Sequence, residues 1–136
     1  MSGKNEALID TSVWIAYFRQ TSQSIVNAVD ELITDDRARI CDVVVAELIQ
    51  GAKSSREVAS LVKVGETIRP LTGASGIWAR AGKLAFDLRK QGATIHIIDC
   101  YLATLASEND SDLLSLDKHF RVIASAKFLD LRLIDL

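Results

Sequence analysis

The chain has 136 residues, of which 49% are hydrophobic and 25% charged, with a formal net charge of −2 and a single proline. That is enough for one globular domain with a real core, in the composition range of ordinary soluble proteins and without linker or low-complexity segments. Sixteen Lys and Arg against 18 Asp and Glu exclude a general polyanion binder, whose affinity needs clustered cations, but allow a local basic rim.

The polar start Met1-Ser2-Gly3-Lys4-Asn5-Glu6 lacks the apolar core of a signal peptide, and no apolar run is long enough to span a bilayer. A cytoplasmic location without membrane contact is expected. Cys41 and Cys100 are too few for a disulfide framework and too isolated for structural zinc. Each lies beside an acid (Asp42, Asp99), and both are expected to be buried packing residues.

In chain order, Ala7-Leu8-Ile9 ends on Asp10 and predicts a strand over 6–10. Thr11 and Ser12 follow, and the spacing of Val13, Trp14, Ala16, Tyr17 and Phe18 predicts a helix over 13–19. A helix over 24–34, a strand over 38–41, helices over 43–53 and 54–64 and a strand over 67–71 come next. Thr72-Gly73-Ala74-Ser75-Gly76 has Trp78 where a dinucleotide loop needs a later glycine, so it reads as a turn and helix cap. In the helix over 75–91, Ile77, Ala81, Leu84, Ala85 and Leu88 form one apolar stripe. Arg80, Lys83, Asp87, Arg89 and Lys90 fall mostly off it, and Gly92 supplies the stop. A helix over 100–109, a strand over 112–116, a helix over 118–126 and a strand over 131–136 complete the pattern. Strands alternating with helices predict one three-layer α/β/α sandwich over residues 1–136, with a central, mainly parallel sheet.

Four acids stand out against this frame. Asp10 sits where a strand hands over to a helix, at the sheet edge where open α/β folds bind ligands. Glu47 is the one charge within Val43-Val44-Val45-Ala46-Glu47-Leu48-Ile49, costly among aliphatic neighbours unless paired or metal-bound. Asp99 closes Ile95-His96-Ile97-Ile98, and Asp117 ends Leu113-Leu114-Ser115-Leu116, each before a helical run. Either Asp has a bland role available as a helix cap. In a parallel sheet all four places share one edge, and four carboxylates brought together repel and raise one another's pKa values. Divalent cations resolve that conflict, and hard oxygen ligands select Mg²⁺, with Mn²⁺ able to substitute.

These residues also carry a resemblance. Ile9-Asp10-Thr11-Ser12, Glu47-Leu48-Ile49-Gln50-Gly51, Asp99 ahead of Ala103 and Ala106, and Ser115-Leu116-Asp117-Lys118-His119-Phe120 stand in the order of PIN-domain ribonucleases. The chain most closely resembles the VapC toxins of toxin–antitoxin pairs, over essentially its full length. Ser115 replaces a commoner threonine, Leu116 a frequent polar residue and Cys100 a small one; no acid is lost. The resemblance implies a Mg²⁺-dependent endoribonuclease, with Asp10, Glu47, Asp99 and Asp117 as catalytic metal ligands. Thr11 or Ser12 would orient a ligand carboxylate or the scissile phosphate. It further implies an RNA substrate, a homodimer, and a cognate antitoxin in a hetero-oligomer. The antitoxin is expected between the helix bearing Trp14, Tyr17 and Phe18 and residues 43–64, with exposed aromatics forming part of the groove.

Lys53, Arg56, Lys118 and Arg121 lie near the acidic motifs and could neutralise phosphates, or be plain surface charge. His119 reads as structural or exposed, and His96 as a packed core histidine. A haloacid-dehalogenase reading fails because Ser12 stands where a second Asp is needed. The alternative is a catalytically silent PIN-like or receiver-like Mg²⁺-binding interaction module, although a receiver needs an acidic neighbour that Asp10 lacks.

Overall fold

A computed structural model describes residues 4–136; the first three residues of the polar start lie outside the described residues. The elements run β1 (Ala7–Ile9), α1 (Thr11–Arg19), α2 (Gln23–Thr34), β2 (Ala38–Ile40), α3 (Asp42–Gln50), α4 (Ser55–Thr67), β3 (Arg69–Pro70), α5 (Ile77–Lys90), α6 (Ile97–Glu108), β4 (Asp112–Leu114) and α7 (His119–Ala126). The sheet has strand order β3-β2-β1-β4, and all three pairings are parallel. α1 packs against α2 and α3, and α3 against α4; α5 packs along α6, and α6 against α7. The result is the expected three-layer α/β/α sandwich.

Strands buried on both faces need apolar residues at every position. Ala7, Leu8 and Ile9 of β1 are each fully buried, as are Leu113 and Leu114 of β4. β2 breaks the rule with Arg39, which is buried but bonded to Glu6 at 3.0 Å and to the Asp36 and Ala38 carbonyls. Each fully buried aliphatic side chain contributes about 1.5–3 kcal/mol. Three-residue strands therefore suffice when helices cover both sides.

The connections place the site. From β1 the chain moves outward through β2 to β3, then returns to pair β4 on the other flank of β1. The strand order thus reverses beside β1, and such a switch point opens a crevice at the carboxyl ends of the strands. Asp10 follows β1 and Asp117 follows β4, on the two sides of that crevice.

Several boundaries differ from expectation. The strand over 131–136 shrinks to one parallel bridge, Leu113 to Leu133. Leu113 donates to Arg132 O at 2.9 Å and accepts from Ile134 N at 3.0 Å, which uses both its outward backbone groups, while the Arg132 side chain is tied to Asp110 and Asp112. The strand over 67–71 is reduced to Arg69–Pro70, because Thr67 ends α4 with its hydroxyl on Lys63 O. Pro70 has no N–H to extend a ladder and closes the sheet as an edge. α6 begins at Ile97, not at residue 100, because His96 caps it by accepting from Ile98 N at 3.1 Å. His96 is therefore an exposed cap, not a core residue. Gly76 (φ +82°) opens α5 and Gly92 (φ +91°) follows its end, as the turn and stop signals require. Cys41 and Cys100 are free and buried, with burial pushing their thiols up to about 12 and about 11.

One buried hydroxyl joins β1 to the start of β4. Ser111 accepts from Leu8 N at 3.2 Å and faces the carbonyls of Glu6 and Asp112. Ser111→Ala is expected to destabilise the protein by about 0.5–1.5 kcal/mol, the net worth of the lost hydroxyl bonds, since Leu8 N keeps its partner in the β1–β4 ladder. Urea unfolding should show the midpoint falling with an unchanged slope; an unmoved midpoint would assign the β1–β4 junction to apolar packing alone.

Candidate active site

Asp10 is the N-cap of α1 and is only 7% exposed. One carboxylate oxygen accepts from Thr11 N at 2.7 Å; the other accepts from the Ser115 hydroxyl at 2.7 Å and the Ser12 hydroxyl at 3.2 Å. Burial raises the Asp10 pKa above the ordinary carboxylate value, the three hydrogen bonds pull it back, and Glu47 adds repulsion. The capping and ligand readings of this residue are therefore compatible: one oxygen caps, while the other is fixed by hydroxyls from two loops.

Ser115 is the hinge of the site. Besides donating to Asp10, its hydroxyl accepts from Asp117 N at 2.9 Å. Ser12 repeats the device, donating to Asp10 and accepting from Leu116 N at 3.1 Å. The loop after β4 is thereby stitched to the end of β1, which sets the position of Asp117. The Asp117 carboxylate in turn accepts from His119 N at 2.9 Å and so caps α7.

Asp99 projects from the first turn of α6. Its pKa is raised by burial, then by Asp117 and by Asp10, with the His119 contact lowering it. His119 Nδ1 stands 3.4 Å from Asp99 and 3.2 Å from Asp117. One ligand atom from each of Asp99, Asp117 and His119 can be chosen so that all lie within 4.8 Å of one another. Two carboxylates and an imidazole this close, with the Asp10 charge felt at Asp99, make a donor set that a divalent cation fits.

Glu47, exposed on α3, is joined to the others through Thr11: the threonine hydroxyl donates to Glu47 at 2.8 Å while its backbone N–H bonds Asp10. All four acids are thus in one electrostatic network at the carboxyl edge. Asp99 and Asp117 form its tight core, Asp10 its buried anchor and Glu47 its outer member. Thr11 and Ser12 each hold one of these carboxylates.

Two participants were not legible beforehand. Ser115 was visible only as a substitution for threonine, although a hydroxyl after an apolar strand is the signal for such a bridge. His119 read as structural or exposed; it is exposed, yet aimed at two acids. Lys53, Arg56, Lys118 and Arg121 are all exposed, and no hydrogen bond or ion pair joins their side chains to the acids.

Comparison with known proteins agrees with this geometry. A family model described as the PIN domain matches residues 7–126. Ribonuclease VapC11 of Mycobacterium tuberculosis is 31% identical over 121 residues, covering 86% of this chain and 90% of that protein. Among solved structures, VapBC-1 from nontypeable Haemophilus influenzae aligns with a TM-score of 0.74 at 24% identity, over 95% of this chain and 96% of that one. VapBC-5 of Mycobacterium tuberculosis, a member of the VapBC family of toxin–antitoxin systems, aligns with a TM-score of 0.66 at 21% identity, over 98% of this chain and all of that one. The acids at the switch point, the parallel sheet and these matches together establish that the chain belongs to the PIN-domain family.

Proposed function

We propose that the protein is the toxin of a toxin–antitoxin pair, an endoribonuclease that hydrolyses RNA phosphodiesters with Mg²⁺, or Mn²⁺ in its place. The observation that carries this reading is the convergence of Asp99, Asp117 and His119 within ligand distance, beside the buried Asp10, in a PIN-domain chain with ribonuclease relatives. Residues 1–136 act as one nuclease domain. Among the described residues no helix is long and apolar enough to cross a membrane, and the proposed RNA substrate supports a cytoplasmic location.

Asp10, Asp99 and Asp117 would hold the ion or ions, and Glu47, held by Thr11, would bind a metal or orient its water. What the bound ion supplies is a nucleophilic water near neutral pH and charge stabilisation on the leaving oxygen. The chain's own task is positioning. Ser115 and Ser12 hold the Asp10 carboxylate toward the crevice and fix the Asp117 loop against it. His119, between Asp99 and Asp117, orients those carboxylates.

The antitoxin groove lies between α1 and the α3–α4 pair. Trp14 is core and offers no docking surface, but Phe18, stacked on it with centroids 5.7 Å apart, is 44% exposed. With Ile15, Leu48 and Leu61 it lines a cavity of about 390 Å³ whose rim includes Glu47. An amphipathic partner helix seated there reaches the acidic network. The protein is proposed to work as a homodimer within a toxin–antitoxin hetero-oligomer.

The first test is antitoxin-free protein with total RNA and Mg²⁺ or Mn²⁺. Discrete fragments should form, vanish with EDTA, and fall by more than about a hundredfold in rate for Asp99→Asn, beyond the 10–100-fold typical of groups that only orient ligands. Full cleavage by metal-purified Asp99→Asn protein would overturn the site; no cleavage with any metal would favour a silent binding module. Ser115→Ala is expected to weaken metal affinity by about 10–100-fold while keeping some turnover at saturating metal. An unchanged metal titration would reduce Ser115 to a loop staple.

The raised carboxyls of Asp10 and Asp99 also make a pH prediction. Their folded forms hold protons more tightly than the unfolded chain, so the two groups oppose folding once pH exceeds the ordinary carboxylate value. That opposition disappears as pH falls through their raised folded values. The melting temperature of metal-free protein should therefore carry a component that declines as pH rises from about 4 toward neutrality. Asp10→Asn should flatten it, and Mg²⁺ should raise the melting temperature most at the neutral end. A slope indifferent to Asp10→Asn would refute the assignment.

A further inference from the structure

A second cavity, of about 790 Å³, opens at the carboxyl ends of β2 and β3, between α3, α4 and the start of α5. Its volume is that of a small-molecule site. Its wall carries an aromatic stack: the Trp78 indole lies flat on the Tyr101 ring, with centroids 4.0 Å apart and planes 11° from parallel. Tyr101 is buried and Trp78 is 46% exposed, so the pair is a backed platform with an accessible indole. Gly73 lines the same wall; a Cβ there would approach the Ile77 side chain within 2.8 Å, so a larger residue would have to push that side chain aside.

Asp42 stands beside the platform. One of its oxygens accepts from Val43 N at 2.8 Å and from the Tyr101 hydroxyl at 3.2 Å; the other accepts no hydrogen bond among the described residues. Burial, then the Asp42 and Cys41 charges, push the Tyr101 phenol up to about 12, so it stays a donor and keeps Asp42 aimed. The cavity adjoins the acidic network through one residue: Cys41 lines it and feels the charges of both Asp42 and Asp10. This edge is therefore one route along which a nucleotide flanking a phosphate at the acids can run.

We propose that this cavity is a base-reading subsite, in which a nucleobase flanking the cleaved phosphodiester stacks on Trp78 and donates an exocyclic amino hydrogen to Asp42. The proposal rests on the ribonuclease reading and gives it a specificity. Every base has a face to stack. A carboxylate accepts from amino groups such as that of cytosine N4. Cytosine, adenine and guanine carry such a group; uracil lacks it and offers only its ring N3–H, flanked by two carbonyl oxygens that the carboxylate repels. The cavity's other charged lining residue is Glu66, an acid, so it suits a base and not a phosphate.

The test measures binding without turnover. Labelled pentamers of cytidine, adenosine and uridine are titrated in EDTA, with anisotropy read for every protein and tryptophan emission for the wild type. Trp14 is buried, so quenching reports Trp78. The cytidine and adenosine pentamers should bind about tenfold tighter than the uridine pentamer and quench emission. Asp42→Asn should bring uridine level with the others. Trp78→Ala should weaken all three by about five- to a hundredfold, and Trp78→Phe should restore them. Equal affinity for all three pentamers in the wild type, or wild-type binding by Trp78→Ala, would overturn the proposal. So would emission that follows protein dilution and ignores the pentamers, since the cavity would then belong to a second copy. In Mg²⁺, Asp42→Asn should still cleave RNA but at altered sites. Intact RNA with wild-type enzyme would instead be failure of the ribonuclease reading, with base selectivity in EDTA untouched.

Discussion

The buried Asp10 carboxylate is the constraint on which the site depends. It is charged chemistry at the end of the most buried strand in the molecule, and burial alone drives it toward neutrality. Three donors counter that pressure, and they come from two places in the chain: Thr11 and Ser12 from the start of α1, and Ser115 from the loop after β4. Satisfying one carboxylate therefore fixes two loops relative to each other. The same hydroxyls accept from Leu116 N and Asp117 N, so the backbone that presents Asp117 is set by the groups that solvate Asp10. A buried polar network is stabilising when every member is satisfied and costly otherwise. Here its completeness is also what brings the acids to one edge.

The fold was legible wherever burial imposed a period. The stripe Ile77, Ala81, Leu84 and Leu88 and the run Ala7-Leu8-Ile9 face the core in the structure as the sequence requires. Legibility failed at the edges. β3 ends on Pro70, where the missing N–H decides, and the run over 131–136 could pair only with Leu113, the outward residue of β4. It failed again at 95–99, an apolar stretch with no period of its own, where one hydrogen bond from Ile98 N to the His96 ring starts a helix. In the site, the carboxylates were visible because a charge ending an apolar run is expensive. Ser115 and His119 cost nothing to expose, so nothing in composition marks them; only the topology that sets β4 beside β1 reveals what they hold.

That topology also separates three surfaces that one small domain must keep apart. The α1–α4 groove opens on the Glu47 side of the network. The acids occupy the switch point. The Trp78 cavity opens beyond Cys41 on the other side of α3, whose Val45, Ala46 and Ile49 line it while Leu48 and Glu47 line the groove. Helix α3 thus presents one face to each, and its 3.6-residue period is the reason neighbouring residues line different surfaces. A ligand in the groove and a base in the cavity touch opposite sides of the same helix, and both approach Asp10, one through Glu47 and Thr11 and the other through Cys41.

The price of this arrangement is paid by the metal-free protein. Burial of the Asp10 and Asp99 carboxyls, with repulsion from neighbouring acids added, opposes folding, and the hydroxyl bonds at Asp10 and the His119 contact at Asp99 offset only part of that cost. Sites that store such strain persist because the surrounding structure over-determines them. The surrounding structure here is the fully buried β1 packed beside the buried Leu113 and Leu114 of β4, with Ser111 joining the two strands at the end away from the acids. Whatever neutralises the acids, a cation bound among them or a basic side chain from a partner, draws on the same stored repulsion. A cation and a basic group directed at the same carboxylates would then compete for one place.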